Sequence, residues 1–392
     1  MNSIVTLSKS ECVGCRSCLQ ICPKNAISMQ EDYEGFYYPV ISDKCIDCGI
    51  CRKHCPVLVN PKQNLFNQEY VGLVLRDKII LEKSSSGGVF AGIAKFFLAD
   101  SGYVFGCRFS ENLEAEHVGI NSLDLLKDLQ GSKYVASNTK ETYAQVKAIL
   151  KDGKRVLYSG TPCQIAGLYA FLGKDFENLY TIDLICHGTP SQKLFSKYIA
   201  WLGKHYHDKI IYYGFRDKDV GGWSCGGKFK TKTKTKTKTN EAVCDPYYAS
   251  FLRGETYRES CYSCRFANMN RVGDLSIGDF WGIEKRFPQF VSKDGVSICL
   301  INSQKGKILF EQIKNKFEFF NCEQIDFLDY NHNLLHPTVR PIIRDNIYKE
   351  VFESNEFKTI AHKNIWIFKI KSLISALIPP LVKKIMKRGI KK

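Results

Sequence analysis

The chain begins with two cysteine runs that share one spacing. Residues 12–23 read CVGCRSCLQICP and residues 45–56 read CIDCGICRKHCP, so each run is C-x2-C-x2-C-x3-C-P. This spacing is typical of a segment that holds two [4Fe–4S] clusters, in which the fourth cysteine of each run binds the cluster of the other run. Such a segment has little freedom of fold, because the clusters supply the cross-links that a small hydrophobic core cannot. A disulfide framework and structural zinc are the alternatives for the same cysteines.

The spacing divides these eight cysteines into two ligand sets. Residues 1–60 are predicted to form a bacterial ferredoxin-like module, with short strands at 26–29 and 36–41 between the runs, and the polar residues 61–69 are predicted to be a linker. The expected ligands of one cluster are Cys12, Cys15, Cys18 and Cys55, and those of the other are Cys45, Cys48, Cys51 and Cys22.

Composition narrows the class of protein. The chain has 392 residues, enough for two or three domains, and 17 cysteines, of which nine lie outside the two runs. We expect a reducing cytoplasm, because iron–sulfur clusters and free thiols need one and the chain starts directly with the working motif. The sequence has no run of 18 uncharged apolar residues, so no membrane span is predicted. The net charge of +16 suits acidic redox partners, and no nucleic-acid-binding motif accompanies it.

From residue 70 the pattern changes to alternating strands and helices, which predicts an α/β domain over residues 70–345. A serine- and glycine-rich turn precedes the helix that begins at Val89, and a second polar turn follows Gly131. A turn of this kind before a helix can bind a phosphate through backbone N–H groups, although it is more often a plain helix cap. The candidate binding residues of the two turns are Ser84, Ser85, Ser86, Gly87, Gly88, Ser132, Lys133 and Tyr134.

Four cysteines of the α/β domain are candidates for a third cluster. Cys163 and Cys186 each follow a predicted strand and adjoin a Gly-Thr-Pro turn, and the carboxyl ends of strands are where open α/β sheets bind ligands. Cys261 and Cys264 form a third C-x2-C pair. Structural zinc, a plain or redox-active dithiol, and buried structural cysteines are the alternatives.

The last segment, residues 346–392, is predicted to be a basic amphipathic tail. It mixes aromatic and aliphatic residues with lysines, and Pro379 and Pro380 would divide its helix into two pieces. Such a tail can lie on the inner face of an anionic membrane or dock on its own domain.

Several motifs in one order resemble the coenzyme F420 hydrogenase/dehydrogenase beta-subunit family. They are SSSGG at 84–88, GTPCQ at 160–164, ICHGTPS at 185–191, and CYSCRFA followed by GDLSIGDFWG between 261 and 282. The resemblance covers about residues 70 to 345, behind the ferredoxin-like module. It implies an α+β chain in which that module precedes an α/β flavin-binding domain with a mixed sheet. It also implies bound FAD, contacted by the two polar turns and by Thr161, and a [4Fe–4S] cluster of the domain's own.

The function that the resemblance implies is an iron–sulfur flavoprotein oxidoreductase. Electrons from a soluble ferredoxin or a redox partner subunit would reach FAD through the clusters and reduce a small-molecule substrate or a deazaflavin coenzyme. Fused bacterial members of the family suggest a role in surface-polysaccharide biosynthesis. His187 is the candidate proton donor beside the flavin, with a capping role as its alternative. A relay subunit that feeds a separate catalytic chain, and a non-redox assembly factor, are the competing hypotheses.

Overall fold

The computed structural model describes Ile4 and residues 7–59, 64, 66–220, 222–223, 226–233, 238–241, 245–354 and 357. Residues 358–392, which make up most of the predicted basic tail, lie outside the described residues.

The N-terminal module contains two short strands and two short helices: β1 (Ile27–Glu31), β2 (Tyr37–Ile41), α1 (Ser17–Ile21) and α2 (Ile50–Lys53). Strands β1 and β2 lie between the cysteine runs, as predicted, and they pair antiparallel. Each helix is preceded by a residue with a left-handed backbone, Arg16 (φ 64°) and Gly49 (φ 70°). Each helix contains the third cysteine of its run, so the loop before it is free to fold round a cluster.

The larger domain contains the remaining elements. Its strands are β3 (Glu69–Leu75), β4 (Tyr103–Phe109), β5 (Ala115–Ile120), β6 (Val156–Gly160), β7 (Leu179–Leu184), β8 (Ile210–Gly214), β9 (Gly226–Thr231), β10 (Lys238–Glu241), β11 (Leu275–Asp279), β12 (Ser297–Ile301) and β13 (Phe317–Cys322). Its helices are α3 (Lys78–Glu82), α4 (Val89–Ala99), α5 (Leu126–Leu129), α6 (Thr142–Lys151), α7 (Pro162–Leu172), α8 (Gln192–Tyr206), α9 (Pro246–Leu252), α10 (Glu259–Tyr262), α11 (Ile283–Arg286), α12 (Gln304–Ile313) and α13 (Arg344–Ser354).

Eight of these strands form one mixed sheet in the order β13-β3-β12-β11-β7-β6-β4-β5. Strands β4, β6, β7 and β11 are parallel neighbours, and β3 runs in their direction because β12 pairs antiparallel with both β11 and β3. The carboxyl ends of five strands therefore meet along one edge of the sheet. The predicted α+β architecture with a mixed sheet is confirmed.

A second core is mainly aromatic and lies beside the smaller sheet, β10-β9-β8. Phe36 of the N-terminal module and Tyr348 of α13 are both buried in it, with ring centroids 6.1 Å apart. Helix α13 thus crosses the boundary expected at residue 345, because its apolar face completes this core. Among the described residues, no helix is both long enough and apolar enough to span a bilayer.

One buried carboxylate organises the aromatic core. Asp245 caps α9, where its side chain accepts a hydrogen bond from the Tyr248 N–H, and it also accepts from the hydroxyls of Tyr198 and Tyr213. Burial raises the pKa of Asp245. The cost of burying this group is offset only while all three donors are present.

Replacing Asp245 by alanine should lower the free energy of unfolding by about 3 kcal/mol. The change removes a helix cap and leaves two buried hydroxyls without a hydrogen-bond acceptor. The matched control is Asp77→Ala, which removes the more exposed cap of α3 and should cost about 1 kcal/mol. Urea unfolding of the two variants, followed by intrinsic fluorescence, measures the difference. Equal losses would contradict the account of this core.

Candidate functional site

The two predicted ligand sets of the N-terminal module differ in exposure. Those of the first set (Cys12, Cys15, Cys18, Cys55) are buried, with between 6% and 8% of their surface exposed. In the second set Cys48 is exposed and Cys22, Cys45 and Cys51 are half-buried.

The thiols of the buried set also lie close to one another. Desolvation raises the pKa of the Cys15 thiol, and the neighbouring thiols of Cys18, Cys55 and Cys12 raise it further. These are the partners that the spacing predicts. Forming buried thiolates is therefore unfavourable without a metal, and iron binding would offset this by replacing the thiol protons.

The buried set lies directly against the larger domain. The Cys15 side chain packs on Gly167 of α7, where a Cβ atom would come 2.8 Å from the Cys15 Cβ and 3.1 Å from its Sγ. The Thr139 hydroxyl donates to the Cys15 carbonyl, and the Gln20 side chain accepts from the Tyr143 N–H. The first cluster loop is therefore fixed against the domain.

A cavity of about 640 Å³ lies at the carboxyl edge of the large sheet. Its wall collects most of the residues that the sequence singles out: Ser84, Ser85, Ser86, Gly88, Ser132, Lys133, Tyr134, Thr161, Cys163, Cys186, His187, Cys261 and Cys264. Residues from five separate stretches of chain thus meet at one site. A cavity of this size holds a ligand as large as a dinucleotide.

The two polar turns lie side by side on this wall. The Ser85 hydroxyl accepts hydrogen bonds from the Ser132 N–H (2.8 Å) and the Ser132 hydroxyl (2.9 Å). Half-buried Lys133 donates to the carbonyl of Gln130, and desolvation lowers its pKa to about 8. Hydroxyls, helix N–H groups and a lysine therefore converge, which suits an anion.

Gly87 is the exception in the first turn, because it is not on the cavity wall. Its carbonyl accepts from the Leu75 N–H (2.8 Å), and a Cβ atom there would come 2.1 Å from the Leu73 carbonyl oxygen. Its function in this structure is close packing of the turn on β3. Gly88 does adjoin the cavity and has φ 79°, which glycine adopts without strain.

The four cysteines of the domain share one part of the wall. Burial, with a further contribution from the thiols of Cys264 and Cys261, raises the pKa of Cys163 to about 12. Burial likewise raises the pKa of Cys186 well above its usual value, with the same three thiols contributing. Within the described residues, no three Cys, His, Asp or Glu side chains are close enough to share one metal ion. A cubane cluster binds each thiolate at a different iron and accepts a wider spacing than zinc.

His187 is half-buried and lines the same cavity. Burial, followed by the nearby His332, lowers its pKa to about 4. The imidazole is therefore neutral at neutral pH and can donate one hydrogen bond to a bound molecule. It could donate a proton as the imidazolium only if negative charge in the cavity raised that pKa.

Sequence reasoning missed the buried Arg216, which follows β8. Its guanidinium makes a two-pronged ion pair with Asp279 (2.8 and 3.0 Å) and donates to the Ser85 carbonyl (3.2 Å). Asp279 also accepts from the Trp223 indole N–H (2.6 Å). An isolated arginine has no motif, so only the fold reveals that it joins the serine turn to the end of β11.

Known proteins match the two parts of the chain separately. Residues 153–324 match the family described as the C terminus of the coenzyme F420 hydrogenase/dehydrogenase beta subunit, and residues 11–59 match the 4Fe-4S dicluster domain. An uncharacterized protein of Methanocaldococcus jannaschii is 24% identical over 201 residues, which are 43% of this chain and 55% of that protein. The chain thus matches little more than half of that relative's length.

Two further similarities concern single parts or the fold. A ferredoxin of Hydrogenibacillus schlegelii, described as 7Fe, is 30% identical over 74 residues, which are 18% of this chain and 90% of the ferredoxin. A chain of the F420-reducing [NiFe] hydrogenase complex from Methanosarcina barkeri is 16% identical, with a TM-score of 0.45, over 75% of this chain and 91% of that one.

The module and the domain behind it define an iron–sulfur protein of the electron-transfer class. Residues 153–324 carry the C-terminal domain of the coenzyme F420 hydrogenase/dehydrogenase beta-subunit family, and a 4Fe-4S dicluster domain at residues 11–59 precedes it.

The unequal exposure of the two N-terminal sets predicts unequal stability of their clusters. A hydrophilic iron chelator should remove about four irons in a fast phase, because the cluster at Cys45, Cys48, Cys51 and Cys22 is open to solvent. Anaerobic stopped-flow absorption measures the release. The fast phase should be absent from Cys48→Ser and retained in Cys15→Ser. Release in a single phase, or a fast phase that survives in Cys48→Ser, would contradict the assignment.

Proposed function

We propose that this chain is an iron–sulfur flavoprotein that transfers electrons between its N-terminal clusters and an organic two-electron acceptor. The observation that supports this most strongly is the cavity at the sheet edge, because the two polar turns and the four cysteines all line it. FAD, when bound, would supply the exchange between one-electron and two-electron chemistry.

The cavity residues fit a flavin dinucleotide. Ser84, Ser85, Ser86 and Gly88 at the start of α4, with Ser132, would receive its diphosphate, and Lys133 would supply the positive charge. Tyr134 stacks on Phe251 with centroids 4.2 Å apart, which makes a flat apolar wall beside the polar turns. Thr161 and neutral His187 would offer hydrogen bonds to a bound ring system.

The domain's cysteines fit a third [4Fe–4S] cluster. Cys163, Cys186, Cys261 and Cys264 supply four thiols at one wall, which is the ligand number such a cluster needs. Desolvation raises the pKa of Cys163 and of Cys186, which keeps these thiols protonated until iron binds.

The second candidate is an electron-transfer subunit that delivers electrons to a separate catalytic chain. The family's description as a beta subunit favours this candidate. Both candidates take electrons from a soluble ferredoxin or a redox partner subunit. They differ in the electron acceptor. In the first candidate the acceptor is a deazaflavin or another small molecule, such as a surface-polysaccharide precursor. In the second candidate it is a protein.

The third-cluster assignment predicts the iron content of the chain. Anaerobically purified protein should contain about twelve irons and one FAD, whereas Cys261→Ser/Cys264→Ser should contain about eight irons. Cys299→Ser is the matched control, because Cys299 is buried in β12 away from the cavity wall, and it should keep about twelve. Equal iron in the wild type and the double variant would refute the third cluster.

The lysine in the second turn predicts how FAD affinity depends on pH. The pKa of Lys133 is near 8 because burial opposes its charge, so the charge is present below that pH and is lost above it. FAD added to flavin-free protein should bind more weakly at pH 9 than at pH 7, by less than tenfold for each pH unit above 8. Flavin fluorescence measures the dissociation constants.

Two variants test whether this dependence belongs to Lys133. Lys133→Met should bind FAD weakly and with little change between pH 7 and pH 9, whereas the exposed Lys127→Met should behave as the wild type. An unchanged pH profile in Lys133→Met would show that this lysine does not meet the phosphates.

A further inference from the structure

Arg258 lies between the buried Cys12 set and the four half-buried cysteines of the larger domain, and only 5% of its own surface is exposed. Its guanidinium donates to the carbonyl of Cys12 (2.7 Å) and to the carbonyl of Tyr37 (3.0 Å), both in the N-terminal module. Its own carbonyl accepts from the Cys261 N–H (2.9 Å). One residue thus connects the first cluster loop with the C-x2-C pair of the larger domain.

The loop is shaped to receive this guanidinium. Gly14 has φ 69°, and a Cβ atom there would come 3.0 Å from an Arg258 nitrogen. The charged group also lies over the Tyr38 ring, 4.2 Å from its centroid. A flat cation between a glycine and an aromatic face fills the space that a side chain at position 14 would otherwise occupy.

The charge of Arg258 has no carboxylate partner among the described residues: every ion pair found there involves other cations. A buried cation without a counter-ion is costly. The groups that can supply negative charge here are the cysteines on either side. Clusters bound by four thiolates are anionic, so they would compensate the cation on both sides.

The two sets are also joined through α7. Cys15 packs on Gly167, and Cys163 is in the first turn of the same helix. Four residues of α-helix rise about 6 Å, so the Cys15 and Cys163 positions are about one helical turn apart along this axis. Clusters at the two sets would be within short reach of each other.

We propose that Arg258 is the positioning residue of an electron-transfer junction between the cluster at Cys12, Cys15, Cys18 and Cys55 and the cluster at Cys163, Cys186, Cys261 and Cys264. It holds the loop against the domain, and its positive charge raises the reduction potential of both clusters. One electron crosses the junction at a time: the N-terminal cluster is oxidised by one electron and the domain's cluster is reduced by one, with no bond or proton exchanged. A reduced ferredoxin-type donor supplies the electron. The junction rests on the proposed function, because it needs the third cluster.

The test is an EPR-monitored redox titration of the full chain, purified anaerobically. In Arg258→Met the ratio of reduced to oxidised cluster at a fixed potential should fall at least tenfold for the Cys12 set, a shift of 59 mV for a one-electron couple. The third cluster should shift in the same direction, and the Cys45 set should shift less. Arg258→Lys keeps the positive charge, so its cluster potentials should lie close to those of the wild type.

The matched control is Arg265→Met. Arg265 also donates to the N-terminal module, at the Val57 carbonyl, but it is exposed, so water screens its charge. Its removal should leave all cluster potentials unchanged. Unchanged potentials in fully loaded Arg258→Met would overturn the proposal.

If Arg258→Met does not fold, a second measurement on the wild type tests the proposal. In the reduced wild type, the clusters of the junction should show magnetic coupling in the EPR spectrum, and its absence would overturn the junction. Iron content separates the two claims. About eight irons in the wild type would refute the third cluster and the junction with it, while the potential of the Cys12-set cluster in Arg258→Lys and Arg258→Met would still decide whether Arg258 tunes that cluster.

Discussion

The packing of Cys15 on Gly167 is the contact on which the rest of the account depends. It brings the buried half of the N-terminal module against the helix whose first turn contains Cys163. Any larger side chain at position 167 would push the module away. The contact also explains the unequal exposure of the two N-terminal sets, because the Cys12 set faces the domain while Cys48 faces solvent. Electrons would therefore enter at the exposed cluster and leave at the buried one.

The sheet determines where those electrons can go. Strands β3, β6, β7 and β11 end along one edge, and the serine turn, Thr161, Cys186 and Asp279 follow them there. An open α/β sheet binds its ligands at this edge because the loops diverge and helix N-termini point at the gap. Arg216 then links the serine turn to Asp279 from outside the sheet. Arg216 thereby fixes the serine turn against the end of β11.

Much of this arrangement could be predicted from local patterns. The two cysteine runs specify their own loops, and the change to alternating strands and helices from residue 70 is visible in the local sequence pattern. The turns themselves follow from chemistry within a few residues: Thr161, Pro162 and Gln164 form a capping box and a helix start by themselves. These features need no information from the rest of the chain.

The features that could not be predicted from the sequence depend on contacts between distant parts of the chain. Gly87 resembles its neighbours in the serine turn, yet backbone contacts with β3 and Ser297 take it off the cavity wall. Arg216 and Arg258 have no local motif, and their roles arise only when distant segments fold round them. Helix α13 crosses the expected end of the domain because its apolar face packs on Phe36, more than 300 positions earlier. Periodicity identifies an apolar face but not the surface that it will cover.

The most direct test of the account is the order in which redox centres are reduced. Oxidised, flavin-loaded protein is mixed anaerobically with a reduced ferredoxin, and the absorption of clusters and flavin is followed in time. The account predicts that the clusters are reduced first and the flavin follows, and that Cys15→Ser, which keeps the exposed cluster, slows the flavin step strongly. A flavin that stays oxidised while the N-terminal clusters are fully reduced would contradict the account.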